Sequence, residues 1–376
     1  MPSLSGDITA LPGGILAQGN TGGSIVFSGS SKSITPILNI PGVRLIDNTG
    51  ATISFTNGGP VLNCTAQFAC FTPTGGGIDT VEPGSNPNGI TTTTGVALNV
   101  SDTTIGQNGM TFRSISAGTA GGAPTNAIVL NNTGNGGMSV QGDGVNAGSG
   151  GTIQHTTGDS IVLTSANVGL NRMNITNSGA NGIFGTNVLG FSLDASVLSD
   201  IGRLAGQGAI HLGDATNAVN GLSGTAIINN TQLSGSAGPG AFIETHGTAT
   251  ATVVVTNSTI QENASAGVQA TAKDQSNLEL SVGVDTDNNA KPDTFTQNGS
   301  SVQCTHASTG LGFCYIYGNT FTDQPDNSIL VSNAAGPLDL RLQNNSLTTP
   351  GTSTNATVGI FGGRHIASPH RLQQHH

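Results

Sequence analysis

Leu170-Asn-Arg-Met-Asn-Ile175 returns, in altered form, as Leu193-Asp-Ala-Ser-Val-Leu198, Ile228-Asn-Asn-Thr-Gln-Leu233 and Val255-Thr-Asn-Ser-Thr-Ile260. Two later copies read Ile316-Tyr-Gly-Asn-Thr-Phe321 and Leu342-Gln-Asn-Asn-Ser-Leu347. Each has two apolar residues five apart, with mostly polar residues between them. The starts fall at 170, 193, 228, 255, 316 and 342, so most steps are 23 to 35 residues. Repeats of that length mark units that bury their apolar face only by stacking on the next unit. A second phrase lies between the copies: Ile161-Val-Leu163, Ile183-Phe-Gly185, Ile210-His-Leu212, Ile243-Glu-Thr245, Val268-Gln-Ala270, Val302-Gln-Cys304 and Ile329-Leu-Val331. Its outer members should point inward and its middle member outward, because side chains alternate along a strand.

Two or three short strands per repeat, with no convincing helix between them, predict an all-β fold: a single parallel β-helix of about a dozen coils. One helical turn is allowed for at Leu198-Ser-Asp-Ile201 and at Arg203-Leu-Ala-Gly206. The 61 residues between Val255 and Ile316 exceed one repeat. They accommodate a hidden copy if Leu280 and Phe295 fill the two apolar slots around an insertion at 285–293. Residues 1–90 are read as a capping segment with the first irregular coils, 91–355 as the regular helix, and 356–376 as the end with a basic, His-rich tail. Gly and Asn suit the sharp corners because they tolerate positive φ. Asn174, Asn230, Asn257, Asn319 and Asn345 recur before the second slot, where stacked amides can bond from coil to coil.

Only 8% of the 376 residues are charged, 57 are Gly, and the net charge is −10 with ten Lys and Arg in total. Phosphate neutralisation needs clustered cations, so nucleic acid is not an expected partner. No apolar run approaches the ~20 residues of a membrane helix. The start, Met1-Pro-Ser-Leu-Ser-Gly, has no signal-peptide pattern, so export would require a leader outside this sequence. The cysteines fall in two close pairs, Cys64 with Cys70 and Cys304 with Cys314, which predicts two small-loop disulfides and an oxidising compartment.

The Gly-x-Ile/Val-x-x-Thr strands and Asn-x-Thr-Ile turns, as in Asn174-Ile-Thr-Asn-Ser-Gly-Ala-Asn-Gly-Ile183 and Gly95-Val-Ala-Leu-Asn-Val-Ser-Asp-Thr-Thr-Ile105, resemble the repeats of bacterial surface β-helix proteins. The resemblance covers 90–355 well and the first 90 residues loosely. It implies a pectate-lyase-like right-handed parallel β-helix of the kind found in autotransporter passengers and adhesins. That fold also carries lyases, hydrolases and tailspikes, so it does not select a function.

Two candidate sites stand out. Asp285, Asp287, Asn289 and Asp293 place oxygen ligands at positions one, three, five and nine of a loop, which suits Ca2+. The loop resembles thrombospondin-type and EF-hand loops, but Ala290 replaces the turn glycine and Thr296 the bidentate glutamate. Polar turn residues between two coils would read the same way. His211 and Glu244 share the outward slot of the strand phrase on neighbouring coils, an arrangement capable of acid–base work on a sugar chain. No paired-Asp, Gly-His-Gly or Arg-x-Lys phrase of sugar-cleaving β-helices accompanies them. The expected function is therefore a secreted or cell-surface scaffold or adhesin segment contacting extracellular carbohydrate or protein. The alternatives are a polysaccharide lyase or glycoside hydrolase using the strand face, and a filament subunit that self-associates end to end through open strand edges.

Overall fold

The computed structural model describes residues 3–37, 40–65, 67–213, 220–348 and 358–362. The tail at 364–376 lies outside them. Two compact units are present, Met1–Gly179 and Ala180–His376. In both, strands recur in threes, and the first, second and third strand of each coil join three parallel sheets, here A, B and C. Among the described residues, summed over both units, each sheet type gathers thirteen strands and there is no helix. The protein is a parallel β-helix, as the repeats predicted. In residues 3–90 the same three-strand coil is already present, with Ser24–Phe27, Lys32–Ile34 and Val43–Ile46 forming one turn of it.

The repeated phrase is the corner from sheet A to sheet B. Its first apolar residue ends the inward face of a sheet A strand; in the second unit Leu193, Ile228, Val255, Val282, Ile316 and Leu342 stand in one register column. Its second apolar residue belongs to sheet B, where Leu198, Leu233, Ile260, Phe295, Phe321 and Leu347 align. The hidden copy is thus real, but its first slot is Val282 rather than Leu280, which pairs with Val253 and Cys314. Both residues point inward, so a slip of two positions leaves the pattern of burial unchanged. The turns allowed for at Leu198 and Arg203 are a strand, Val197–Ile201, and a non-helical bend.

Inside the coils like stacks on like. In the first unit Phe27 lies over Phe55 at 4.7 Å between ring centres, and Phe55 meets Phe71 edge-on at 5.6 Å. In the second, Phe295 stacks on Phe321 at 5.0 Å. Burying each such side chain contributes about 1.5–3 kcal/mol, repeated coil after coil. Two inward exceptions matter. Asp79 faces the core between Ile53 and Ile105, 1% exposed, with no hydrogen-bond partner for either oxygen. Lys32 is fully buried, and its ammonium donates to the carbonyls of Gly29, Thr56 and Gly58, closing the corner there.

The corners of the second unit are closed by side chains that bond from coil to coil. A residue with positive φ, such as Asn230, Asn257, Gly318 or Asn344, turns the chain. The next residue is the rung. The amide N–H of Thr231 donates to Ser258 Oγ, that of Ser258 to Asp293 Oδ1, that of Asp293 to Asn319 Oδ1, and that of Asn319 to Asn345 Oδ1, at 2.7–3.2 Å. Asn319 and Asn345 are rungs, as expected; Asn230 and Asn257 are the turning residues before a rung, and Asn174 lies within the strand Met173–Ser178. A second series, Ser236, Asn263, Asn298 and Gln324, does the same at the corner from B to C.

Candidate functional site

Long loops leave the helix at the corner from A to B, and the spacing of two of them makes a cleft. Residues 82–88 form such a loop between Ile78–Val81 and Gly89–Thr92, and residues 141–150 another between Gly137–Val140 and Gly151–Gln154. The corner of the coil between them is the single residue Arg113. Two projecting loops flank a one-residue corner and leave a cleft of about 360 Å3, lined by Pro83, Asn86, Pro87, Arg113, Gln141 and Asp143 among others.

Both walls are fixed from below. Buried Asn88 donates from Nδ2 to Thr111 O at 2.7 Å and Glu82 O at 3.0 Å. Asn86 donates to Ser30 O at 2.7 Å. In the opposite wall the Asp143 carboxylate accepts from Asn146 Nδ2 at 2.6 Å, Asn146 N at 2.7 Å and Val145 N at 2.9 Å. These bonds, the Asn146 side chain first, hold its carboxyl well below the usual carboxylate range. Arg172, the corner residue of the following coil, donates to Gly144 O at 2.7 Å and Val145 O at 3.0 Å. Arg113 Nη2 stands 3.9 Å from Asp143 Oδ2, too far for a hydrogen bond, with the two side chains 48% and 19% exposed. The cleft therefore offers a cation on its floor and an anion on the adjoining wall, both reached by solvent.

The pair expected to share an outward column, His211 and Glu244, does not. His211 pairs in register with Phe184 and Phe242, and its ring lies 5.8 and 4.6 Å from theirs. Glu244 stands two residues beyond Phe242, beside Thr271, on the same face but diagonal to His211. Ala241, not Ile243, fills the inward slot opposite Ile210, and this explains the slip. Glu244 is 2% exposed and enclosed by partners: Lys273 Nζ at 2.7 Å and His246 Nε2 at 3.4 Å, with Asp274 Oδ2 3.5 Å from His246 Nδ1. Gly213, at φ 124°, makes the room, since a Cβ there would sit 2.9 Å from Glu244 Cβ. The carboxylate is spent on an internal ion network.

The Asp-rich insertion is also divided. Asp285 Oδ1 accepts from the backbone of Asp287 and Asn289 at 3.0 and 2.8 Å and from Asn289 Nδ2, so these three residues cap one exposed loop. Asp293 is elsewhere: 1% exposed, it is the rung between Ser258 and Asn319, and burial pushes its carboxyl up to about 7. Among the described residues no group of three or more His, Cys, Asp or Glu is arranged to hold a metal ion.

Cys64 and Cys70 form a disulfide across the corner between Pro60–Cys64 and Phe71–Thr74, with Cα atoms 5.8 Å apart. Cys304 and Cys314 are instead buried thiols. They lie within Ser300–Ser308 and Gly312–Tyr317, strands of sheets C and A, away from the corner that joins them. There the two thiols interact inside the core, and burial, together with Cys304, pushes the Cys314 thiol up.

Sequence reasoning missed Arg113, Asp143, Asn86 and Gln141. The available signal was two Gly- or Pro-rich interruptions, 82–88 and 141–150, on either side of a lone arginine between apolar strands. Comparison with protein-family models, curated proteins and solved structures gave no match to this chain. Among the described residues no helix is long and apolar enough to cross a membrane.

Proposed function

We propose that this chain is a secreted or cell-surface β-helix of the adhesin and autotransporter-passenger kind, whose task is contact with extracellular carbohydrate or protein. The observation that carries the reading is the contrast in access. An open pair of opposite charges lies in the Arg113 cleft, whereas the carboxylate best placed for acid–base chemistry, Glu244, is enclosed. The Cys64–Cys70 disulfide supports an oxidising compartment. The weakly charged surface, 8% Asp, Glu, Lys and Arg over the whole chain, suits many weak polar bonds rather than ion pairing.

The test is adhesion of the purified chain to glycan-coated and protein-coated surfaces, with a parallel search for cleavage of neutral and acidic glycans. Saturable adhesion without cleavage is the expected outcome. Turnover that disappears in both His211→Ala and Glu244→Ala, with the fold intact, would replace the contact reading by a polysaccharide-cleaving one.

A further inference from the structure

The cleft is chemically specific enough to name what it takes. It holds one donor group and one acceptor group whose capacities are unequally used. A carboxylate offers about four acceptor sites. Asp143 Oδ1 accepts from Asn146 N and Val145 N and its Oδ2 from Asn146 Nδ2, and the Ser149 hydroxyl also acts on the carboxyl, which leaves Oδ2 the less used oxygen. Arg113 brings five N–H donors. Its guanidinium finds no protein acceptor within hydrogen-bond distance among the described residues; the nearest carboxylate oxygen is Asp143 Oδ2 at 3.9 Å.

A hydroxyl accepts and donates at once, so one placed between these groups accepts from Arg113 and donates to Asp143 Oδ2. A second, adjacent hydroxyl reaches the remaining guanidinium donors or the amide of Gln141. Pro83 and Pro87 line the opposite wall, and their aliphatic rings are compatible in chemistry with the C–H face of a pyranose ring. The volume, about 360 Å3, lies at the small end of ligand sites, which run about 300–1,000 Å3, so it admits one or two rings. Charge selects among sugars. Asp143 stays ionised and offsets Arg113, so a uronic or sialic carboxylate entering here would meet Asp143 as a like charge.

We infer that the cleft between residues 82–88 and 141–150 is a subsite for one neutral sugar unit, held through adjacent hydroxyls by Arg113 and Asp143. The inference rests on the reading of the chain as a contact protein and gives that contact its chemistry.

The test is titration of the full chain with mannobiose, lactose, cellobiose, chitobiose and digalacturonate, followed by calorimetry and ligand-observed NMR. At least one neutral disaccharide should bind saturably. Arg113→Gln should weaken it about tenfold or more, as expected for losing a charged hydrogen-bond donor. A deoxy analogue of the bound sugar lacking one of the adjacent hydroxyls should bind correspondingly weakly to the native chain, a readout that needs no variant to fold. The assignment is overturned if no neutral disaccharide binds, if digalacturonate binds better, or if Arg113→Gln binds as well as the native chain. Should the native chain adhere to surfaces while no neutral sugar binds, the subsite fails and the contact reading stands. Should a sugar bind in the cleft without any adhesion, the contact reading fails instead.

Discussion

The Arg113 cleft and the Glu244 network both bring opposite charges together on the outside of coils, and they put them to opposite uses. In the first unit Arg113 and Asp143 remain 3.9 Å apart and open to water. In the second, Glu244 and His246 are enclosed, with Lys273 at 2.7 Å from the carboxylate. The difference comes from backbone, not from charge. Two long loops on either side of a one-residue corner keep Arg113 accessible, while Gly213 removes a side chain and lets Glu244 lie down among its partners. A candidate contact site in this fold is thus made by which corners are long and which are short. The 283–293 loop stands between short corners at Asn257 and Gly318, so it has no facing wall.

The sharpest way to break the comparison is to remove the enclosed carboxylate. Glu244→Ala takes the enclosed carboxylate from Lys273 and leaves His246 with Asp274 as its one acidic neighbour within 4 Å among the described residues. Losing one partner of a buried pair costs about 3–5 kcal/mol, and the lower end applies because Lys273 is 31% exposed. Denaturant unfolding of native and variant chains measures it, and an unchanged midpoint would mean the network is not structural.

Asp293→Asn tests the closed corner from the other side. In the rungs that follow, Asn319 Nδ2 donates to Val282 O at 3.0 Å and Asn345 Nδ2 to Ile316 O at 2.8 Å. By register the corresponding carbonyl at the Asp293 rung is that of Val255. A carboxylate has no proton to give it; a carboxylic acid or an amide does. With the folded carboxyl pushed up to about 7, the native state holds a proton that the unfolded chain releases at lower pH. Stability from this group is therefore full in acid and is lost as pH rises through about 7, by at most on the order of 4 kcal/mol. Asp293→Asn should remove that loss and be more stable than native at pH 8. Part of the slope should survive, because burial pushes Asp79 up to about 7 as well. Unfolding measured from pH 4 to 8 decides it: a native chain equally stable throughout would refute the linkage.

Asn319→Ala is a smaller perturbation of the same corner. It deprives Asp293 N of its acceptor and Val282 O of a donor, both buried, at about 1–3 kcal/mol for a lost buried partner. Asn319→Asp, which restores only the acceptor, should recover part of that loss in the same unfolding experiment.

The repeat was legible because corner chemistry is local: an apolar residue, a turning residue and a polar rung lie within four consecutive residues. Asn319-Thr-Phe321 and Asp293-Thr-Phe295 show it, and that match puts Asp293 at the rung position. The strand register was less legible. A strand alternates with a period of two, so Ala241-Phe-Ile243 and Ile243-Glu-Thr245 look equally plausible beside Ile210-His-Leu212. Ile243 attracts the match because it is β-branched, yet Ala241 fills the slot, and the error moved Glu244 into a column it does not share with His211. The cleft was not legible at all from any one segment, since its residues lie in corners of three successive coils.

Arg113→Gln makes the comparison quantitative at its weak end. An exposed arginine with no hydrogen-bonded acidic partner contributes little to stability; surface substitutions of this kind fall within about 0.5 kcal/mol. The fold-bearing bonds of that corner are backbone bonds, Arg113 N to Asn88 O at 2.8 Å and Gly142 N to Arg113 O at 2.9 Å, and the substitution leaves both in place. Unfolding of Arg113→Gln should therefore superimpose on that of the native chain. A loss of 2 kcal/mol or more, about the scale of a buried hydrogen-bond partner, would mean that Arg113 holds the loops together and that the cleft is a structural joint rather than an opening.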